Sequence, residues 1–245
     1  MPMWQDVCEW SITMGKQEIA AALCSALQEV MDERLKSRAD ADASRACTAL
    51  KRFQARRMAT THADLLGEPD TAAAAHFFLD DLYGAHDMTQ RDADIERIVP
   101  TMERLLPEAA LHTIAEAIML DALSEKLDGA MARRLGVQFD EAAYAKAYSE
   151  VSSRADRERQ IALVRSVGMS LCELVRVPLI GMTLKMMGGP ARLAGLVELH
   201  EFLLRGFAAF KSMKAPRLFV ETTTAREIRI MENLYAGVAR PFDIA

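Results

Sequence analysis

Residues 107–136 read PEAALHTIAEAIMLDALSEKLDGAMARRLG, and their spacing decides the fold class. Leu111, Ile114, Ile118, Leu120, Leu123, Leu127 and Met131 recur at helical intervals, the repeat that lines one face of an α-helix with apolar side chains. Pro107 suits the first turn, where its missing N–H has no helical partner to lose. Gly136 ends the run just after Arg133 and Arg134, whose cations meet the negative end of the helix dipole.

The same period extends in both directions. Ile19, Leu23, Leu27, Val30 and Met31 form one stripe over residues 17–38. Asp40 or Ser44 can cap a second helix carrying Leu50, Phe53, Met58 and Leu65, which stops before the breaker cluster Gly67-Glu68-Pro69. A third runs from near Thr71 to Tyr83, with Gly84 as its left-handed end. Thr89 and Asp92 have capping-box spacing for a helix through Ile95, Ile98, Met102 and Leu105, which Pro100 should kink or interrupt. Beyond residue 136, Asp140 caps a short helix with Tyr144 and Tyr148. Residues 161–175, 178–187 and 191–213 are apolar on more than one face, the mark of buried helices. Gly188-Gly189-Pro190 reads as a firm break between two of them. Pro216 opens a last amphipathic helix with Phe219, Ile228, Met231 and Leu234, finishing near Gly237. The one β-like segment, LFVETTT at 218–224, cannot form a sheet alone. The expectation is an all-α, bundle-like single domain of about eight or nine helices. Residues 1–40 form an N-terminal helical segment and residues 41–242 the main helical domain.

Composition agrees with that class and excludes others. Hydrophobic residues make up 51% of the 245, and aromatics only 6% against 15 Met. Leu, Ala and Met fill helical cores, whereas strands favour β-branched and aromatic residues. The net charge of −5 argues against a nucleic-acid partner, which needs a basic surface. A local basic run, Lys51, Arg52, Arg56 and Arg57, reads as a solvated helix face. Cys8, Cys24, Cys47 and Cys172 have no CxxC spacing and read as free buried thiols. No secretory leader pattern opens the sequence, and no stretch has the length and apolarity of a transmembrane segment. A cytoplasmic location is the expectation.

Phe77-Phe78-Leu79-Asp80-Asp81-Leu82-Tyr83 resembles the signature of the bacterial FFLEELY-motif proteins, with Asp in place of both Glu residues. The flanks resemble the family in the same order. Upstream lie Gln54-Ala55-Arg56-Arg57 and Ala63-Asp64-Leu65-Leu66. Downstream lie Arg91-Asp92-Ala93-Asp94, Arg104-Leu105-Leu106-Pro107, Asp156-Arg157-Glu158-Arg159-Gln160, Gly189-Pro190-Ala191-Arg192-Leu193-Ala194-Gly195-Leu196, Gly206-Phe207-Ala208-Ala209-Phe210 and Arg226-Glu227. The resemblance spans about residues 50–242; the first forty residues match it weakly. It brings no catalytic residue, cofactor or partner to carry over. In an α-helix, Phe78 with Leu82 and Leu79 with Tyr83 make one wide apolar stripe, flanked by Asp80 and Asp81. Such an acidic pair wants cationic or N–H partners, for which Arg57 and Arg91 are candidates.

Chemistry-bearing groups are sparse. No Glu-x-x-His motif of helical metal sites occurs. The weaker pairs are His76 with Asp80, and His112 with Glu116, the latter followed by Asp121, Glu125 and Asp128. No metal or cofactor is expected. His200 and Glu201 sit in an apolar helix, where His200 is either a satisfied core histidine or a proton-transfer group. No nucleophile motif or phosphate-binding loop is present; Gly188-Gly189 with Arg192 reads as a tight turn or an anion site. Met169, Met182, Met186, Met187 and Phe207 belong to an apolar stretch that can be ordinary core, an oligomer interface or an apolar-ligand pocket. The leading reading is a non-catalytic binding or assembly protein, a homo-oligomer using its apolar C-terminal half. The alternatives are a helical enzyme with a His/carboxylate site and a carrier of a lipid or other apolar small molecule; a protein partner fits the first reading too.

Overall fold

The structure is a computed structural model. It describes residues 15–82 and 89–244, without the side chains of 80–82, 89 and 90. Among the described residues there are twelve α-helices, one π-helical turn and no strand. They are α1 (Lys16–Ser37), α2 (Ala41–Thr61), α3 (Ala63–Gly67), α4 (Ala72–His76), the π-turn (Phe77–Leu82), α5 (Thr89–Leu105), α6 (Glu108–Leu135), α7 (Glu141–Val151), α8 (Arg154–Leu174), α9 (Pro178–Met186), α10 (Gly188–Leu193), α11 (Val197–Ser212) and α12 (Pro216–Tyr235). The number exceeds the eight or nine read from periodicity. Elements of five or six residues, such as α3, α4 and α10, are too short to show a 3.6-residue repeat.

The 28-residue α6 is the spine. Asp40 and Asp140 start α2 and α7 by accepting from the N–H groups of Ala43 and Ala143, as N-caps do. Gly136 ends α6 with φ of 68°, a conformation that suits glycine. Ile19, Leu23, Leu27 and Val30 of α1 pack with Leu111, Ala115, Ile118 and Ala122 of α6 and with Ile95, Val99 and Met102 of α5. Each large side chain so buried contributes roughly 1.5–3 kcal/mol. The helix at the N-terminal end of the described chain is thus part of the core. A second cluster joins α2, α6, α7, α8 and α12 around Leu50, Met131, Tyr144 and Met231. A third joins α4, the π-turn, α8, α11 and α12 around Phe77, Cys172, Phe210 and Phe219.

Several local readings change. The helix expected through Leu65 breaks at His62, between α2 and α3. Helix α5 runs on through Pro100. Pro100 and Glu96, whose carbonyl loses its donor, are both exposed, so water can satisfy that oxygen. Gly188-Gly189-Pro190 is itself helical and opens α10; the chain breaks just before it, at Met187, and again at Gly195, with φ of 72°. The basic run is not one solvated face: Arg52 and Arg56 are exposed, whereas Lys51 and Arg57 reach carboxylates. Cys172 is buried, Cys24 and Cys47 are half-buried, and Cys8 lies outside the described residues.

The signature is not plain α-helix. Phe77 and Phe78 enter the π-turn, whose wider i→i+5 spacing replaces the four-residue stripe. The two neighbouring rings therefore reach different helices. Phe77 lies 5.3 Å from Phe202 of α11, and Phe78 lies 5.8 Å from Phe210 and 6.0 Å from Phe219. Asp80, Asp81, Leu82 and Tyr83 have side chains outside the described residues, as does the His76–Asp80 pairing.

Charges lock the layers together. The Arg34 guanidinium of α1 donates to Asp92 of α5, to both oxygens of Asp121 at 3.0 and 2.9 Å, and to Glu125 at 3.3 Å. Arg91 also reaches Asp92 at 3.0 Å and Asp121 at 2.6 Å, and Lys51 of α2 reaches Glu125 at 2.7 Å. Three cations thus meet three carboxylates; Arg34, Asp92 and Glu125 are buried, and Lys51, Arg91 and Asp121 half-buried.

The packing makes three predictions. Arg34→Ala leaves its carboxylates short of a buried partner and should cost about 3–5 kcal/mol in urea denaturation. Removing Arg45 from its exposed pair with Asp42 should cost less than about 1 kcal/mol. Gly168 of α8 lies so near α12 that an added Cβ would sit 2.8 and 2.9 Å from the two methyl groups of Val220. Gly168→Ala gains about 1 kcal/mol of helix propensity but overpacks a rigid branched side chain at about 1–3 kcal/mol. A net loss of stability is expected, restored in Gly168→Ala with Val220→Ala.

Candidate functional site

The groups singled out in the sequence do not converge. His112 Nδ1 lies 3.7 Å from Glu116, whose buried carboxylate accepts the Ser166 hydroxyl at 2.8 and 2.9 Å. Burial raises the Glu116 pKa, against the hydrogen bond from Ser166 and the His112 charge, which lower it. His200 is half-buried and donates from Nε2 to the Leu184 carbonyl at 2.7 Å, with Glu201 exposed beside it. It ties α11 to α9. Asp121 and Glu125 belong to the Arg34 cluster, and Asp128 accepts from Gln54 at 2.9 Å. Among the described residues no group of three or more His, Cys, Asp or Glu is placed to hold a metal ion.

The apolar stretch behaves differently from its reading as buried helices. Met169 is partly buried in the third cluster, with Phe207. Met182, Met186 and Met187 are exposed. Of fourteen exposed large hydrophobic side chains among the described residues, eight fall within residues 177–203. Leu179 is 66% exposed, Met186 73% and Leu193 93%. Helices α9 and α10 rest on α11 by few anchors, including Gly181, whose hydrogen side faces Phe207. Their remaining faces look outward, with Lys185, Arg192, Glu198 and Glu201 exposed among the hydrophobics. No single helix among the described residues is long and apolar enough to cross a membrane. The pair Arg154–Leu174 and Pro178–Met186 passes only when taken together, bent by 89°.

A cavity of about 140 Å³ lies between α2, α6, α7, α8 and α12. Met58, Leu65, Phe78, Ile161, Val164, Phe219 and Leu234 make apolar wall; Gln54, Arg57, His62, Asp128, Arg157 and Glu227 bring polar groups. His62 is held at the α2–α3 corner, where Arg226 forks onto both Asp64 oxygens at 2.7 Å and also donates to the Thr61 carbonyl at 3.2 Å. The hydrogen bonds from Arg226 hold the Asp64 carboxyl at about 2. The next residue on α12, Glu227, accepts from Arg57 at 2.5 Å and from His62 Nε2 at 3.0 Å. Burial pushes the Glu227 pKa up, but the Arg57 charge and the two hydrogen bonds outweigh it and bring it to about 2. Across the cavity Arg157 stacks 4.1 Å over the Tyr148 ring and donates to Gln160 and Ser152 at 3.1 Å. Burial raises the pKa of Asp128 and of the Tyr144 phenol. The arrangement offers an apolar chamber with an ionised carboxylate and an oriented imidazole at one end.

His62 and Glu227 did not stand out as chemistry in the sequence, because 165 residues separate them. The one available signal is that stretches quoted for the family resemblance supply Gln54, Arg57, Leu65, Phe78, Arg157, Gln160 and Glu227 to this single cavity.

A family model described as a domain of unknown function, DUF8198, matches residues 33–241. The chain belongs to this family. The match takes in Arg34, the signature, the α9–α11 face and every cavity residue except Phe242. Ile19 to Val30 of α1, although central to the core, precede it. No curated protein and no solved structure matches the chain.

The depressed carboxyl sets an acid dependence. Glu227, with Arg57 and His62 against it, falls from an ordinary 4.5 to about 2. Its contribution to stability is whole above about pH 4.5 and is lost as pH falls through about 2. Urea titrations should show the natural chain losing up to about 3 kcal/mol more than Glu227→Gln across this window. Parallel acid curves would contradict the depressed value.

Proposed function

We propose that this protein is a non-catalytic binding and assembly protein that pairs with a second copy of itself through the exposed face of α9, α10 and α11. The single observation behind this reading is the concentration of exposed Leu, Met and Val side chains in residues 177–203. Exposed apolar side chains concentrated in one short segment mark an interaction surface, whereas isolated exposed hydrophobics need no explanation. A second copy is the occupant because the face carries both signs of charge. Lys185, Arg192, Glu198 and Glu201 are all exposed in the same segment, so a two-fold axis can set each cation against an anion of the other copy. Methionine adapts its shape to such contacts at little cost.

A second reading is a helical protein working through a His/carboxylate site. What favours it is the His62–Glu227 contact at 3.0 Å beside a cavity, in place of the separate His112/Glu116 and His200/Glu201 pairs.

Sedimentation velocity is the test of the first reading. The natural chain should sediment as a dimer, and the double variant Leu179→Glu with Met186→Lys as a monomer with unchanged thermal midpoint. A natural chain that is monomeric at every concentration overturns it, as does a double variant that still dimerises.

A further inference from the structure

We propose that Met182, Met186 and Met187 form an oxidative modification site, at which a hydroperoxide converts the thioethers to sulfoxides and so separates the two copies of the chain. The inference rests on the self-association reading and gives that contact its control.

Exposure singles out these sulfurs. Met182 is 56% exposed, Met186 73% and Met187 41%. Elsewhere among the described residues, Met58, Met102, Met131, Met213 and Met231 are at most 9% exposed. Met119 and Met169 are partly buried. Only Met31 of α1, at 37%, joins the exposed set, and it lies off the α9–α11 face. Leu179, Met182 and Met186 are spaced i, i+3 and i+7, so they share one side of α9. The oxidisable side chains are therefore the same ones that give this face its apolar character.

The described thiols are poor competitors for the oxidant. Burial pushes the Cys24, Cys47 and Cys172 thiols up. That keeps them protonated, whereas the thiolate is the form that reacts with a hydroperoxide.

The chemistry needs only the oxidant. The thioether sulfur attacks one peroxide oxygen; an S–O bond forms as the O–O bond breaks. The sulfur loses two electrons, and the peroxide is reduced to an alcohol, or to water where it is hydrogen peroxide. The hydrogen on the transferred oxygen passes to the oxygen that leaves. The product is a polar, strongly accepting group on a formerly apolar side chain. In solvent it is hydrated. Between two apolar faces it lacks a donor, and one polar group buried in that state weakens association about tenfold. Pairing also covers the sulfurs, so oxidation proceeds from the free chain.

The test treats the full chain with hydrogen peroxide. Peptide mass spectrometry follows each methionine, and sedimentation velocity follows the association state. The three sulfurs should oxidise at least about tenfold faster than the buried methionines, and the dimer should dissociate with the thermal midpoint unchanged. The triple variant Met182→Leu, Met186→Leu and Met187→Leu keeps an apolar face without thioethers, and should stay dimeric in peroxide. A second measurement needs no variant. Raising the concentration of the natural chain through its dimerisation midpoint should slow oxidation of the three, while Met31 keeps its rate. A dimer that persists with all three oxidised overturns this inference alone. So does a triple variant that peroxide still dissociates, or a Met31 rate that falls in step with the others. An untreated chain that is monomeric at every concentration defeats the self-association reading and this inference with it.

Discussion

Arg34 fixes this fold. Its guanidinium bonds to Asp92 of α5 and to Asp121 and Glu125 of α6, and the last two pass the constraint to Arg91 and Lys51. Such a cluster adds little net stability, because desolvating the charges offsets most of their attraction. Its influence lies in what it forbids. Any shift of α1, α2 or α5 along α6 leaves a charge buried and unpaired, which is far more costly than a slipped apolar contact. Apolar side chains alone tolerate several packings of similar energy; six interlocked charges do not.

The position of α2 carries the constraint toward the cavity. Lys51 ties this helix to α6, and Gln54, one turn on, bonds to Asp128. Arg57 follows at the next turn and meets Glu227 of α12. His62, at the corner where α2 ends, completes the contact. One helix therefore relays the register of the charge cluster to the chamber. The α3–α12 fork between Asp64 and Arg226 holds the corner from the other side. Phe78, turned by the π-helical spacing, closes the apolar wall.

The C-terminal half obeys a different balance. Helices α8 and α12 bury their apolar faces, with Gly168 allowing close approach to Val220. Helices α9 and α10 are no less apolar, yet they lie outside the core with their Leu and Met side chains in solvent. Nine- and six-residue helices flanked by breaks have too little length to wrap the bundle. Their apolar content exceeds what the fold itself can bury, and this excess is the physical basis of the assembly reading.

What the sequence determined by itself was the helical class, the span of α6 and the cap at Asp140, with Asp40 one of two candidates for α2, because these depend on neighbours within about four residues. It also placed the aromatic signature in the core, although not in a π-turn, since one added residue per turn leaves no mark in composition. Only the tertiary structure decided which charged residues met. Arg57 and Glu227, or Arg34 and Asp92, lie on helices distant in sequence, and any cation could have served any carboxylate until packing set the distances. It also decided burial. An apolar helix reads the same whether it is covered or bare, because exposure depends on what else the chain brings to its surface.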